Sequence, residues 1–227
     1  MRISVFFIVF LIMISLFSGC DLPVKTSYNH GNNSSVSKAE KKNELFKKQA
    51  NDSLTYIFET NNEDYLKESG YTLWSENYTN TSENFERIIC KQKKESGDSK
   101  AGYGIVFCCL TKSPDENYLL TVMINNEGEY NVGKVVNGFF LSISNGWKEC
   151  MYLKRSLENK IEVNYITAGE HVNKFELKLN DVIVMYFSDS ENDKPVFKNT
   201  KSGFVACIGP SEDFEYGKVN VVFEMLK

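Results

Sequence analysis

Apolar and polar residues alternate most clearly near the middle of the second half of the chain. Phe175, Leu177 and Leu179 are separated by Glu176 and Lys178. This period of two predicts a strand with one wet face. Asn180-Asp181 then supplies a tight turn, since both residues tolerate left-handed backbone conformations. Val182, Val184 and Tyr186 resume the alternation, but Ile183, Met185 and Phe187 are apolar as well. A strand apolar on both sides must be covered on both, or must turn one side to a binding groove. Gly102–Leu110 has the same two-sided character.

Similar runs fill the body of the chain. Strands are predicted at Leu54–Thr60, Tyr71–Glu76, Phe85–Lys91, Gly102–Leu110, Tyr118–Ile124, Glu129–Val136, Phe139–Ser144, Lys160–Tyr165, Gly203–Ile208 and Lys218–Met225. Gln92–Lys100 and Thr167–Lys174 read as polar loops, and Asn125-Asn126-Glu127-Gly128 as a turn. Asn137-Gly138 and Asn145-Gly146 are hairpin signals. Short strands at regular spacing predict an all-β fold, a two-sheet antiparallel sandwich, over residues 52–227.

The first 51 residues differ. Arg2 precedes a nearly unbroken apolar run, Ile3–Phe17, and small residues follow at Ser18-Gly19-Cys20. The run is short for a membrane-spanning helix and suits an export signal over residues 1–19. Leu16-Phe17-Ser18-Gly19-Cys20 resembles the lipobox of bacterial lipoproteins, departing from it at Phe17, where Leu is usual. The resemblance implies cleavage before Cys20, lipidation of Cys20 and a membrane-anchored protein facing outward or into the periplasm. Asp21–Ser37 is rich in Asn and Ser, cannot bury enough surface to order itself, and reads as a flexible tether. His30 falls in it. Ser37 and Glu40 form a capping box, which predicts a short helix over Lys38–Asn51 with Leu45, Phe46 and Ala50 as a thin apolar stripe.

Composition adds exclusions. The net charge of −4 offers no electrostatic case for nucleic acid. Two histidines, His30 and His171, weaken zinc and Ser-His-Asp readings. Phe (16) and Tyr (12) are frequent and Pro (4) is scarce, as strands prefer.

One series of features occurs in a familiar order: Gly102-Tyr-Gly-Ile-Val-Phe107, Asn117-Tyr118, Gly128-Glu129-Tyr130, Asn159-Lys160-Ile161-Glu162-Val163, Leu179-Asn180-Asp181-Val182, Ser202-Gly203-Phe204-Val205 and Val219-Asn-Val-Val-Phe223. It resembles the concanavalin A-like jelly roll of laminin-G-like and lectin/glucanase modules. The resemblance implies two curved sheets, with the concave outer face of one as a groove for a saccharide.

Motifs that carry catalysis are mostly missing from the chain. Glucanases of this fold carry a Glu-x-Asp-x-Glu-like strand motif, which puts carboxylates on one face at i, i+2 and i+4. No such run is present. Glu127/Glu129 straddles a turn, and Glu191/Asp193 and Glu212-Asp213-Phe214-Glu215 fall in loops. No Gly-x-Ser-x-Gly elbow or phosphate loop occurs. No cofactor is implied, although Asp189, Glu191 and Asp193 carry the oxygen ligands of a Ca²⁺ site. Trp74 and Trp147 are candidate sugar-stacking platforms, with Tyr130 and Tyr186 beside them; packing at the core or rim is the alternative for each. Beyond Cys20, Cys90, Cys108, Cys109, Cys150 and Cys207 leave at least one thiol unpaired. Cys90 could bridge to Cys108 or Cys109 if Phe85–Lys91 pairs with Gly102–Leu110; otherwise the thiols are small buried hydrophobes. The residues together predict a lipid-anchored envelope protein with a non-catalytic sandwich that binds a polysaccharide. A glycoside hydrolase or lyase, and a structural or adhesin protein with a protein partner, are the alternatives.

Overall fold

The computed structural model describes residues 25–26, 46–49, 54–60, 72–80, 85–113, 116–137, 139–168, 172–189, 200–209 and 218–226. Every regular element among them is a strand. In chain order these are β1 (Lys25–Thr26), β2 (Phe46–Lys48), β3 (Thr55–Glu59), β4 (Thr72–Asn80), β5 (Arg87–Ser96), β6 (Tyr103–Ser113), β7 (Glu116–Ile124) and β8 (Glu129–Val136). The series continues with β9 (Phe139–Ser142), β10 (Lys148–Glu149), β11 (Asn159–Ala168), β12 (Val172–Leu179), β13 (Val182–Asp189), β14 (Lys201–Ile208) and β15 (Asn220–Leu226).

They form two sheets. Sheet A runs β1-β4-β14-β6-β7-β8-β10, with β9 also paired to β8; sheet B runs β13-β12-β11-β5-β15-β3-β2. All pairs are antiparallel except β1 with β4. The hairpin residues have the backbone their turns require. Asn180 and Asp181 have φ of 49° and 70°, and Asn145 and Gly146 have 57° and 86°. Asn180 also ties its hairpin down. Its Oδ1 accepts from Lys160 N at 2.9 Å, and its Nδ2 donates to Tyr152 O at 2.6 Å.

The core lies between the sheets and is largely aromatic. Phe85, Phe107, Phe175 and Phe187 form one knot, with Phe85–Phe107 and Phe175–Phe187 stacked at 5.2 and 5.1 Å. Phe46, Phe58, Phe204 and Phe223 form a second, with Phe204 stacked on Phe223 at 4.7 Å. Each pair of this kind adds about 0.5–1.5 kcal/mol to the burial of its rings. One ion pair also spans the layers. Lys134 on β8 reaches Asp189 on β13 at 3.4 Å, and Tyr118 on β7 donates to the same carboxylate. Both charged residues are buried.

Several expectations change. Phe46–Lys48 is a strand, not part of a helix. The open edge of β3 supplies hydrogen bonds to it, and Phe46 enters the core at 6% exposure. A stripe of three apolar residues could not outweigh that. The rest of the predicted helix lies outside the described residues. Lys25–Thr26, within the predicted tether, pairs with Thr72–Leu73. Gln92–Ser96 continues β5 rather than forming a loop, with Gln92 and Lys94 buried. Lys174 lies in β12 and Thr167 in β11. Cys90 is not bridged to Cys108 or Cys109; all five of these later cysteines are free. Strand β5 belongs to sheet B and β6 to sheet A. Packed sheets lie about 10 Å apart, whereas a disulfide needs Cα atoms about 4.4–6.8 Å apart.

Candidate functional site

The two strands that read as apolar on both sides, Gly102–Leu110 and Val182–Phe187, fall in different sheets, β6 in sheet A and β13 in sheet B. Strand alternation turns Ile105, Phe107, Leu120, Val122, Ile124, Val132, Phe204 and Ala206 into the core. It turns Val106, Leu119, Met123, Val135, Val205 and Cys207 outward, where they form a second apolar cluster with Ala101 and Cys109. A bulge between Phe107 and Leu110, with Cys108 at φ 52°, lets Cys108 join the core while Cys109 joins the outer cluster.

This outer face is closed. Val106, Leu119, Thr121, Val135 and Val205 have no exposure, and Asn131 and Ser75 are buried. The edges of sheet A approach each other: β1, paired to β4 at one edge, comes within 8 Å, Cα to Cα, of β9 at the other. The sheet thus curls around its own outer side chains. Two rings press onto it as well. A Cβ on Gly133 would lie 2.4 Å from the Phe140 ring, and one on Gly102 would lie 2.8 Å from Trp147 Cη2. Residues larger than glycine would push both rings away.

On β7 the i, i+2, i+4 series that faces outward is Leu119, Thr121 and Met123. None ionises. Thr121 Oγ1 is spent on Ile105 O at 3.0 Å. The polar groups nearby serve each other: Ser142 and Ser144 both donate to Asn131 Oδ1, at 2.9 and 3.1 Å. The four buried thiols are inert. Burial pushes Cys207 up to about 12, and Cys90, Cys108 and Cys109 well above the ordinary thiol range, so the nucleophilic thiolate is absent near neutral pH.

The outer face of sheet B has the opposite character. Across β11, β12 and β13, Glu162 pairs with Lys178, and Asn164 pairs with Glu176, which pairs with Tyr186. Glu162 is buried and gathers Arg87 at 3.1 Å, Lys178 at 3.4 Å and Lys160 at 3.8 Å. Asn164 Nδ2 donates to both carboxylates, to Glu162 Oε1 at 3.0 Å and Glu176 Oε1 at 3.1 Å. Tyr186 donates to Glu176 Oε2 at 3.1 Å and leaves its ring 61% exposed. Burial drives the Glu162 pKa up, but hydrogen bonds from Asn164 and Arg87 and the charges of Arg87 and Lys178 outweigh it, so it lies below the usual carboxylate range. Glu176 is also held below that range: a desolvation effect raises it, and Lys178, Asn164 and Tyr186 lower it further.

The chain resembles several solved structures in fold. A native glycosidic hydrolase matches with a TM-score of 0.50 at 8% identity, covering 80% of this chain and 79% of that one. The chain adopts the jelly-roll sandwich fold. A prokaryotic β-1,3-1,4-glucanase (lichenase) from a mouse hindgut metagenome matches at TM-score 0.49 and 8% identity over 80% of this chain and 81% of that one. The Bacillus licheniformis β-glucanase matches at 0.49 and 6% over 80% of each chain. No family model and no curated protein matches in sequence.

The predicted site residues scatter over this jelly roll. Tyr130 is 9% exposed and packs in the core, because Tyr130 and Val132 share the inward side of β8; it is not a stacking platform. Trp147 is 36% exposed at the rim, its ring lying close over Gly102. Trp74 lies on β4 in register with Ala206, and its side chain is outside the described residues. Tyr186 alone stands beside an ordered polar row. Asp189, one of the three oxygen-bearing residues considered for Ca²⁺, is engaged with Lys134 and Tyr118. Glu191, Asp193, Glu212, Asp213, Glu215, His30, His171 and Cys20 lie outside the described residues, and no metal-binding group of His, Cys, Asp or Glu occurs among the described ones. Sequence reasoning missed the Glu162 row. Its signal was the run Lys160-x-Glu162-x-Asn164 facing Glu176-x-Lys178, legible only once β11 and β12 were known to pair.

Proposed function

We propose that this protein is a lipid-anchored envelope protein whose jelly roll binds a polysaccharide without cleaving it. The observation that carries the non-catalytic part is the outward series Leu119, Thr121, Met123 on a central strand, which holds no carboxylate pair. The contact surface is the Tyr186–Glu176–Asn164 row, which joins an exposed ring to polar groups already held in place. An aromatic face covers the apolar side of a sugar ring, and fixed carboxylates and amides accept and donate to its hydroxyls. Glycan-array binding by the mature protein should be lost on Tyr186→Ala and kept on Tyr130→Phe. Absence of binding to every polysaccharide would refute the reading.

Hydrolysis is the second reading, and two observations favour it. The solved structure similar in fold at TM-score 0.50 is a glycosidic hydrolase. Glu162 and Glu176 also lie within hydrogen-bond distance of one amide nitrogen, which brings together the two carboxylates a glycosidase requires. Against it, both carboxyls are held ionised, so neither offers the proton a leaving group requires. Turnover of a polysaccharide that is abolished by Glu162→Gln would decide for the hydrolase.

A further inference from the structure

We infer that the mouth of sheet A, between β1 and β9, lies against the lipid surface, with Phe139 and Leu141 as the contact. This rests on the proposed anchor at Cys20. Three observations carry it. First, only four residues stand between Cys20 and Lys25, five steps along the chain, and Lys25 is paired to Thr72. At about 3.3–3.6 Å per residue this arm reaches at most about 18 Å. A tether free up to residue 37 would have held the domain much farther off. Second, β1 comes within 8 Å, Cα to Cα, of β9, so the anchored end of the chain and β9 share one end of the sandwich. Third, Phe139 and Leu141 on β9 are 71% and 47% exposed, apolar residues on an outermost strand where solvent offers them nothing.

The chemistry fits a bilayer interface better than a polar partner. Phe139 and Leu141 lie two apart, on one side of β9 in register with Val136 and Lys134. An amphipathic surface of this kind buries about 5–10 Å into the headgroup boundary, adding to the grip of the acyl chains. The pairing of Lys25–Thr26 with β4, so few residues from Cys20, sets the orientation of the domain.

The test uses the full lipidated chain in phosphatidylethanolamine/phosphatidylglycerol vesicles doped with doxyl-labelled lipid. An environment-sensitive fluorophore is placed at Phe139→Cys or, separately, Leu141→Cys, in a Cys150→Ser background. The other four described thiols are buried, and Cys20 carries the lipid. A third probe at Glu95→Cys, on the outer side of sheet B, is the reference. Quenching of about twofold or more at 139 and 141, with none at 95, is expected for interfacial burial. Retention on the vesicles with 139 and 141 both unquenched overturns the surface and leaves the anchor standing. Mass spectrometry finding Cys20 unmodified overturns the anchor and this surface with it.

Discussion

The outer faces of the two sheets contain similar backbone and opposite chemistry. Sheet A turns Val106, Leu119, Met123, Val135 and Val205 outward and closes over them. Sheet B turns Arg87, Lys160, Glu162, Asn164, Glu176 and Lys178 outward and leaves them wet at the margins. A curled sheet can use its outer side as a second core, in which case ligand recognition moves to the other layer. The two strands that read as apolar on both sides went one to each sheet, β6 to sheet A and β13 to sheet B, and only the second lies beside polar groups held in a row.

The difference can be broken at several places. The largest effect should come from the ion pair that joins the layers. Lys134→Met leaves Asp189 buried without its cation and should cost about 3–5 kcal/mol in denaturant unfolding, whereas adding Asp189→Leu should restore part of it. Next, Gly104→Ala would put a Cβ 2.0 Å from Val122 O, backbone that cannot yield; a loss of about 2–3 kcal/mol is expected, read as a lower denaturant midpoint. A normal midpoint would mean that the outer face of sheet A is looser than described.

Lys94 sharpens the comparison through pH. Burial, only partly offset by Asp98, lowers its pKa to about 8, while Asp98 O and Ala101 O (the latter at 2.8 Å) hold the amine. Unfolded, the amine titrates near 10.4, so between these values the unfolded chain binds the extra proton. Stability should therefore rise with pH across roughly 8 to 10.4, by up to about 3 kcal/mol, and the rise should vanish in Lys94→Met. Unfolding curves at pH 7.5 and 10 for both proteins measure it.

Glu162 should behave in the opposite sense and more weakly. Its folded pKa is depressed, so its contribution is present above the unfolded carboxyl value and disappears as pH falls through the folded one. Glu162→Gln should cost about 1 kcal/mol at pH 7, and the gap to the parent should close in acid. Smallest of all, Tyr186→Ala should change stability by less than about 0.5 kcal/mol, since its ring is exposed, while removing polysaccharide binding.

Much of the fold was legible beforehand. Glu129–Val136 was predicted with its observed bounds, and the turns at Asn145-Gly146 and Asn180-Asp181 have the positive φ their residues suggested. Less of the site was. Tyr130 looked like Tyr186 in the sequence, but one faces a core and the other faces water. Gln92–Lys100 read as one polar loop. Gln92–Ser96 is strand instead, and buried Lys94 is accommodated there because two backbone carbonyls satisfy its amine inside the protein. Phe46 sat in a helical pattern too thin to prevail over an open strand edge.

Alternation and turn chemistry are properties of neighbours along the chain, so the residues alone determined that this protein is built from strands and where most of them reverse. Burial, pairing and charge compensation belong to groups far apart in the chain. Only the packed sheets decided that Cys90 and Cys108 would stand in different layers, that Asp189 would meet Lys134, and that the outer side of sheet A would close while Glu162 and Glu176 met around Asn164. The physical reason is that a strand offers two faces equally, and the layer that covers one of them chooses between the two.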